Sequence, residues 1–389
     1  MVGGGPAGSI AALTLARAGA AVTVLEAGHY PRDKVCGDAL IPDSQTLLDS
    51  VGLLDEVRAA AHALEAVRVT APGGATVRIE APVLTLRRSR LDELLARVAE
   101  RSGATLLEGA SIAEPVRDSR GFVVGVAGSL NGSPFRLEAP VTILATGAAS
   151  KVLSAFGVCE RTSPSALALR GYFRVPELDE RELIISYERP VMPGYGWVFP
   201  MGSGLANVGV GVFLVDGRPP DNLKHLFHRF TRECDHIRSL MARSEPVGEL
   251  AGAPLRCAFE GCRPVADGLL VAGEAIGTTY SLSGEGIGKA MESGRLAAEA
   301  ALAAVSCSRF DARTLGSYVD AMTQARLPER FAQYRNAQRW VRHSFVVDLL
   351  ARSAARSARV RSLLQGILTE ELAPSEVLSA RGLLRLLLP

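Results

Sequence analysis

The chain has 389 residues, of which 48% are hydrophobic and 22% are charged, and its formal net charge is +2. These totals are ordinary for a folded protein of two or three domains, and they exclude a largely disordered chain. The small net charge gives no reason to expect a nucleic-acid partner. No apolar run reaches the length of a membrane span and no signal region opens the chain, so we expect a cytoplasmic protein.

The first predicted element is a glycine-rich turn containing Gly3, Gly5 and Gly8, followed by an alanine-rich helix and a short apolar strand that ends at Glu26. A βαβ dinucleotide site requires this order. Gly3 permits a tight turn, Gly5 lets the backbone approach a pyrophosphate, and Gly8 lets the helix lie close to the sheet. Glu26 can accept hydrogen bonds from both ribose hydroxyls, which favours FAD or NAD over NADP. The alternative is a glycine-rich loop without a ligand.

Only Met1 and Val2 precede this turn. A buried strand of about five residues normally leads into such a turn. We therefore expect a damaged or very short first strand.

The next 75 or so residues are predicted to be a loop, two helices and a hairpin. Residues 29–42 form a polar loop that returns the chain toward the cofactor, and residues 43–62 carry an apolar stripe typical of one helix. Residues 66–70 and 75–79 alternate as the strands of a hairpin. Residues 86–103 form the second helix.

Three arginines, Arg87, Arg88 and Arg90, lie at the start of that second helix. They are either a solvated helix start or a contact to the cofactor. Residues 104–145 alternate as strands, and the last strand runs into Ala145, Thr146 and Gly147. These small residues could meet the phosphate or adenine side of a ligand.

Residues 156–250 contain longer alternating segments with proline-rich corners, which predict an antiparallel sheet in a separate lobe. Within this sheet lie Tyr195, Trp197, Phe199 and Pro200. Aromatic residues this dense either fill a core or line an apolar pocket.

A second glycine-rich region combines a buried strand ending in Glu274 with a helix that opens between Ser283 and Gly294. Two such regions require either one shared ligand or two separate ligands. A long ligand such as FAD explains both, and the alternative is a pair of unrelated turns.

The tail from residue 311 is helical by its period and rich in arginine. Nine arginines fall between residues 321 and 365, interleaved with apolar residues such as Trp340 and Phe345. This composition indicates either a basic amphipathic surface facing anionic headgroups or a solvated, salt-bridged face. The closing residues 382–389 could cover an apolar pocket or touch lipid.

The six cysteines include no CxxC pair and no metal-like spacing with histidine. Cys257 and Cys262 lie in a loop-like stretch. We expect free thiols in preference to a disulfide or a zinc site, and no metal is predicted.

With these residues identified, the chain resembles the geranylgeranyl reductase family of FAD-dependent oxidoreductases. This family belongs to the p-hydroxybenzoate hydroxylase fold group and is related to flavin-dependent halogenases. The resemblance covers nearly the whole chain and rests on Gly3–Ser9, Lys34–Asp38, Arg88–Asp92, Ala145–Gly147, Tyr195–Pro200, Gly273–Glu274 and Gly284–Ile287.

The resemblance implies an α/β plus antiparallel β fold, in which a Rossmann-like FAD-binding domain carries a mixed-sheet substrate domain and a helical C-terminal region. The FAD-binding domain is assigned to 1–62, 84–155 and 251–310, the substrate domain to 63–83 and 156–250, and the helical region to 311–389.

The residue patterns and the resemblance together assign the site. In the family the Cys-Gly loop lies near the flavin, and the YxWxFP stretch shapes a prenyl pocket. Predicted catalytic residues are Cys36, Tyr195 and Trp197, and predicted substrate contacts are Tyr195, Trp197, Phe199 and Pro200. Predicted FAD contacts are Gly3, Gly5, Pro6, Ala7, Gly8, Glu26, Ala27, Lys34, Val35, Cys36, Gly37, Arg88, Ala145, Thr146, Gly147, Gly273, Glu274, Gly284, Gly286 and Ile287.

Three departures from the family pattern concern the flavin end. Glu274 replaces the usual Asp, and Ser281 and Ser283 replace the common Pro and Thr. Tyr195 and Phe199 break the signature of tryptophan halogenases, which makes tryptophan an improbable substrate.

The resemblance implies reduction of C=C bonds in an isoprenoid or polyprenyl chain, with a hydrophobic or lipid substrate. An external electron donor, NAD(P)H or ferredoxin, and peripheral membrane contact are also expected. The alternative is a flavin-dependent monooxygenase or halogenase acting on a biosynthetic intermediate. A third hypothesis is a flavin protein that binds a lipid or partner without turnover.

Overall fold

The computed structural model describes residues 1–214, 222–259 and 261–387. Residues 215–221 of the predicted antiparallel lobe, Glu260, and Leu388 and Pro389 of the predicted closing segment lie outside the described residues.

The helices are α1 Pro6–Arg17, α2 Pro42–Ser50, α3 Leu54–Ala60, α4 Arg88–Arg101, α5 Ser150–Ala155, α6 Leu223–Glu233, α7 Asp235–Met241, α8 Ile287–Ser306, α9 Ala312–Leu315, α10 Ser317–Gln324, α11 Leu327–Val341, α12 Ser344–Arg356, α13 Ala358–Leu368 and α14 Ala380–Leu387. Short 3-10 turns cover Arg189–Val191, Gly273–Ile276 and Pro374–Glu376.

The strands are β1 Thr23–Glu26, β2 Ala39–Leu40, β3 His62–Thr70, β4 Thr76–Thr85, β5 Thr105–Glu108, β6 Ala110–Arg117, β7 Val123–Leu130, β8 Ser133–Glu138, β9 Thr142–Leu144, β10 Ala166–Arg174, β11 Glu182–Ser186, β12 Tyr195–Pro200, β13 Leu205–Phe213, β14 Glu245–Leu255, β15 Val265–Ala266 and β16 Leu269–Val271.

A parallel sheet lies under the first glycine-rich turn. β1 pairs with β5, and β9 pairs with β16, in parallel register. Val2 joins the two pairs through parallel bridges to Leu25 and Leu144. The first strand is thus reduced to one bridging residue, which confirms the prediction of a very short strand. Because parallel strands end at the same edge, Glu26 and Ala145 come together there.

A second sheet of eight strands, ordered β14-β10-β13-β12-β11-β3-β4-β2, forms the wall opposite the parallel sheet. Its pairings are antiparallel except that β11 runs parallel to β3. Side chains alternate across β12, so Val198 packs with Phe227 and Phe230 beneath the sheet while Trp197 and Phe199 belong to a cluster on the other face. The expected mixed sheet is confirmed.

The described strands β6, β7 and β8 form a third, antiparallel sheet. The domain division stays a prediction. β2 belongs to the eight-stranded sheet, although residues 39–40 fall in the range assigned to the FAD-binding domain.

The predicted helical tail is present as α9 to α14. α12 packs on the β3–β4 hairpin, since Val347 and Ala351 share a buried cluster with Val77 and Ile79. The Gly73 amide also donates to Asp348 Oδ1 at 2.6 Å. None of the described helices is long and apolar enough to cross a membrane.

Three expectations from the sequence were wrong in detail. Residues 43–62 form two helices and not one, because Gly52 has φ +70° and ends the first helical segment. Residues 104–145 were predicted only as alternating strands, and β6 was not predicted as a separate strand. The lobe at 156–250 also contains α6 and α7, whose apolar residues cover the lower face of the sheet.

Candidate active site

One cavity of about 720 Å³ connects the two glycine-rich regions. Gly5 of the first turn and Gly286 of the second both line it. The sequence left open whether these regions share one ligand. A single cavity between them favours one extended ligand.

The first turn presents backbone amides to this cavity. α1 begins at Pro6, and the first amides of a helix have no partner within the helix. A Cβ added to Gly5 would come no closer than 3.8 Å to any neighbouring atom, so that position is open. At Gly8 a Cβ would lie 1.9 Å from the Gly3 carbonyl oxygen, so Gly8 serves close packing.

The carboxylate of Glu26 already has protein partners. It accepts hydrogen bonds from the Gly4 amide at 2.8 Å and the Gly28 amide at 3.0 Å. Arg32 lies 3.0 Å from Glu26 and 2.9 Å from Asp92. The sequence reasoning predicted Glu26 for the ribose but missed Arg32, whose position in the loop after β1 was the available signal.

Of the three arginines at the start of α4, Arg87, Arg88 and Arg90, it is Arg88 that lines the cavity. Its guanidinium donates to both carboxylate oxygens of Asp92, at 2.7 and 2.9 Å, and both side chains are buried. Burial opposes the charge of Arg88, but Asp92 outweighs it and the pKa of Arg88 is raised. Arg88 therefore presents a fixed positive charge to the nucleotide end.

The second turn supplies the opposite wall. Gly273 has φ +69°, and a Cβ there would lie 2.7 Å from Ala7, so this residue packs against the first turn. Glu274 lines the cavity 3.7 Å from Lys34. The Thr146 hydroxyl also lies on the cavity and is buried without a hydrogen-bond partner among the described residues. Open glycines, unpaired amides and this hydroxyl fit the pyrophosphate and ribityl chain of FAD.

The Cys36–Gly37 loop is fixed to the eight-stranded sheet by a buried polar network. Asp38, at φ +68°, accepts from Tyr172 Oη at 2.6 Å and from Asn207 Nδ2 at 2.8 Å. Asn207 also donates to the Cys36 carbonyl and accepts from Trp197 Nε1. Burial raises the pKa of Asp38 to about 6, against the hydrogen bonds that favour its charge.

Cys36 itself faces the cavity as a neutral thiol, because burial raises its pKa. A thiol with a raised pKa is a weak acid near neutral pH. Such a thiol is a poor proton source, and the predicted catalytic role of Cys36 stays a prediction.

The aromatic residues of β12 line the cavity; Trp197 and Phe199 are also buried and Tyr195 is half-buried, so the two alternatives for them are not exclusive. Tyr195, Trp197 and Phe199 lie on one face of the strand with successive ring centroids 5.9 and 6.0 Å apart. The Tyr195 hydroxyl donates to the Ser283 carbonyl at 2.8 Å, which ties the sheet to the second turn.

Beyond these rings the cavity continues into a region that we term the apolar limb. Its floor is the face of β3 and β4, and its roof is α12 and α13. The apolar limb is lined by Val67, Val69, Val77, Ile79, Leu183, Ile185, Val347, Leu350, Ala351, Leu364 and Leu368. Sequence reasoning missed it, because each segment alone reads as ordinary core.

Behind the second turn lies a group that we term the lysine cluster: Lys289, Asp43, Glu285, Glu370 and Arg330. Lys289 Nζ is 2.7 Å from Asp43 and 3.3 Å from Glu370, and Arg330 is 2.7 Å from Glu370. Within the part of the chain that the structure describes, one oxygen each of Asp43, Glu285 and Glu370 is buried without a hydrogen-bond partner. Burial, with Asp43 and Glu370 adding to it, raises the pKa of Glu285 to about 8. A proton shared among the carboxyl groups would satisfy these oxygens.

Most of the predicted site residues therefore meet at this cavity. Gly8, Gly273 and Pro200 lie outside its lining among the described residues, and Pro200 instead accepts a hydrogen bond from Thr85. The predicted residues that line the cavity are Gly3, Gly5, Pro6, Ala7, Glu26, Ala27, Lys34, Val35, Cys36, Gly37, Arg88, Ala145, Thr146, Gly147, Tyr195, Trp197, Phe199, Glu274, Gly284, Gly286 and Ile287.

Comparison with known proteins identifies the family to which the chain belongs. Residues 1–216 match the family model described as "FAD binding domain". A menaquinone reductase of Mycolicibacterium smegmatis is 32% identical over 77% of this chain and 75% of its own length. A digeranylgeranylglycerophospholipid reductase of Methanothermobacter thermautotrophicus is 29% identical over 88% of this chain and 85% of its own.

Solved structures extend the comparison to the whole fold. A geranylgeranyl bacteriochlorophyll reductase-like protein from Thermoplasma acidophilum superimposes with a TM-score of 0.80 at 20% identity, covering 99% of this chain and 94% of its own. The flavin-dependent brominase Bmp2 gives 0.72 at 19% identity, covering 99% and 96%.

The fold and the cavity thus define a flavoprotein oxidoreductase whose cofactor is FAD. More specifically, the chain belongs to the FAD binding domain family, and it resembles the reductases of that family along most of its length.

Proposed function

We propose that this flavoprotein reduces carbon–carbon double bonds in the isoprenoid chain of a lipid. The observation that carries this proposal is the continuity of one cavity from the nucleotide turn, past Cys36 and Trp197, into the apolar limb. A long apolar chain binds best in a long apolar cavity, because each methylene that it buries contributes about 0.8 kcal/mol to the binding free energy. The lipids in the names of the two relatives, a menaquinone and a digeranylgeranylglycerophospholipid, both bear isoprenoid chains.

Different residues along the cavity serve the cofactor and the substrate. Bound FAD supplies the hydride chemistry. Arg88 and the amides of the first turn would hold the diphosphate of bound FAD, while the Asp38 network keeps Cys36 and Gly37 in place. Trp197 and Phe199 form an apolar wall that excludes water from the reacting alkene. Burial raises the pKa of Tyr195, so its hydroxyl stays protonated and keeps its bond to the Ser283 carbonyl.

The test is anaerobic turnover of a geranylgeranyl lipid by dithionite-reduced enzyme, with the product analysed by mass spectrometry. We expect products heavier by two hydrogens per reduced bond. An unchanged substrate with a flavin that stays reduced would refute the proposal. The monooxygenase and halogenase alternative requires oxygen, and product that forms only with oxygen or halide would replace the proposal. Parallel assays with NADPH, NADH and reduced ferredoxin identify the electron donor.

We also propose that the corner between α11 and α12 rests on an anionic membrane. Phe345 is 65% exposed at this corner, and Arg339, Arg342, Arg352 and Arg356 are exposed around it along the two helices. An exposed aromatic residue among cations matches the composition of interfacial helices. α12 is also a roof helix of the apolar limb, so a lipid bound there would enter from the bilayer.

Vesicle flotation tests this second proposal. The protein should float with phosphatidylglycerol vesicles and sediment away from phosphatidylcholine vesicles, and Phe345→Ser should weaken flotation. Val319→Ser, which changes an exposed apolar residue on α10, is the matched control. Equal flotation of Phe345→Ser and the unchanged protein would refute the assigned surface.

A further inference from the structure

Two cysteines outside the cavity lie opposite each other. Cys159 and Cys262 form an isolated antiparallel bridge. The Arg263 amide donates to the Val158 carbonyl at 2.8 Å, and the Glu160 amide donates to the Gly261 carbonyl at 3.2 Å. These flanking bonds define a non-hydrogen-bonded pair, in which the Cα atoms are about 4.5 Å apart and the side chains are close. Disulfides occur at Cα separations of about 4.4–6.8 Å.

Both sulfur atoms also share one polar partner. Arg256 Nη2 lies 2.9 Å from Cys159 Sγ and 3.1 Å from Cys262 Sγ. Cys159 is buried and Cys262 is half-buried. One guanidinium nitrogen can contact both sulfurs only if the two thiols point into the same space. A positive charge at that point stabilises a thiolate on whichever sulfur reacts.

From this geometry we infer that Cys159 and Cys262 are a second redox site, a dithiol that a peroxide converts reversibly to a disulfide. One thiol reacts with hydrogen peroxide to give a sulfenic acid and water. The other thiol attacks that sulfur, the S–S bond forms, and a second water leaves. Two electrons pass from the two sulfurs to the peroxide, and a dithiol reductant returns them.

The residues around the two cysteines determine how fast the thiols oxidise and how the disulfide affects the flavin site. Burial and the neighbouring Cys159 raise the pKa of Cys262 to about 12 against the opposing effect of Arg256, so oxidation is slow at neutral pH and faster at alkaline pH. The Arg256 amide lies 3.4 Å from Glu274 Oε1, and Cys257 bridges Thr279. Glu274 and Thr279 both line the cavity, so the disulfide would brace the wall of the flavin site.

The experiment compares the full-length holoenzyme before and after hydrogen peroxide at mildly alkaline pH. Remaining thiols are alkylated after denaturation, and peptides are mapped by mass spectrometry with and without reduction. We expect one linked peptide pair joining Cys159 to Cys262 that disappears on reduction, and a melting temperature that rises reversibly on oxidation. Cys307, exposed at the end of α8, should not appear in the linked peptide pair, whether or not peroxide oxidises it.

Variants keep the inference testable. Cys159→Ser and Cys262→Ser should each abolish the linked peptide and the rise in melting temperature, whereas Cys307→Ser should leave both unchanged. Circular dichroism of the reduced proteins verifies that the variants fold. The inference would be overturned if both cysteines remained fully alkylatable under peroxide, or if either paired with a different cysteine.

Discussion

The two ends of the cavity are built by different means. At the nucleotide end, Gly3, Gly5 and Glu26 lie within one βαβ unit and act through backbone amides and one carboxylate. The apolar limb is assembled from segments far apart in the chain: the contact between Gly73, in the turn before β4, and Asp348 of α12 spans 275 positions. Recognition of a ligand by backbone amides requires glycine, so this part of the site can be predicted from the sequence. An apolar surface needs only residues that any core would use.

The lysine cluster joins these two ends. Glu285 belongs to the second glycine-rich turn, and Glu370 follows α13, the roof helix of the apolar limb. Lys289 lies between them with a side chain only 3% exposed. The cluster therefore fixes the helical region relative to the flavin site, and the predictions below test this joint and each end in turn.

The largest expected effect is a loss of stability in Lys289→Met, which removes the cation at the centre of the lysine cluster. It removes the cation beside Asp43 and leaves Glu370 with Arg330, and breaking a buried pair in this way costs about 3–5 kcal/mol in the free energy of unfolding. Denaturant unfolding measures the change. Arg326→Met, which removes an exposed pair with Glu329, is the control and should cost less than about 1 kcal/mol. Equal losses of stability in the two variants would contradict the role of the lysine cluster in fixing the helical region to the flavin site.

Gly5→Val tests the nucleotide end alone. A Cβ at Gly5 meets no atom closer than 3.8 Å, and the valine side chain fills the space next to the phosphate-facing amides. Loss of one hydrogen bond to a charged group costs about 1.5–3 kcal/mol, or roughly a 10- to 100-fold weaker FAD affinity. Fluorescence titration of the apoprotein measures it. The melting temperature of the apoprotein should be unchanged, whereas Gly8→Val should lower it because of the Gly3 carbonyl.

Ile185→Trp tests the apolar limb alone. Ile185 is half-buried and lines this limb, so a larger ring shortens the space for a chain. Overpacking costs about 1–3 kcal/mol, which predicts a roughly 10- to 100-fold loss in kcat/KM for a geranylgeranyl lipid. FAD affinity should not change, and Ile185→Val should retain activity. A loss of FAD from Ile185→Trp would show that the two ends are not separable.

The smallest effect is a pH dependence of stability from Glu285. Burial raises its pKa in the folded protein to about 8, above the ordinary value of 4.5. The folded state then binds the proton more tightly, so stability is fully present below about pH 4.5 and is lost as the pH rises through about 8. Glu285→Gln should flatten this fall in melting temperature between about pH 4.5 and about pH 8. Parallel curves for the two proteins would contradict the shared proton.

The sequence predicted those parts of the site that depend on backbone geometry. Gly5, Thr146 and Gly286 were placed near FAD because turns and strand ends restrict residue choice, and they do line one cavity. Glu370 was missed, because a charged residue in the tail carries no local sign of its partner, whereas Arg32 was missed although its position in the loop after β1 was a usable signal. The break at Gly52 was missed because the apolar stripe continues across it.

The central claim is that one cavity holds FAD at its polar end and an isoprenoid chain at its apolar end. A single-turnover experiment without oxygen tests it most directly, by mixing reduced enzyme with a geranylgeranyl lipid and following flavin absorbance and lipid mass together. The account predicts that the flavin becomes oxidised as one double bond per flavin gains two hydrogens. A flavin that stays reduced while the lipid remains unchanged would contradict it.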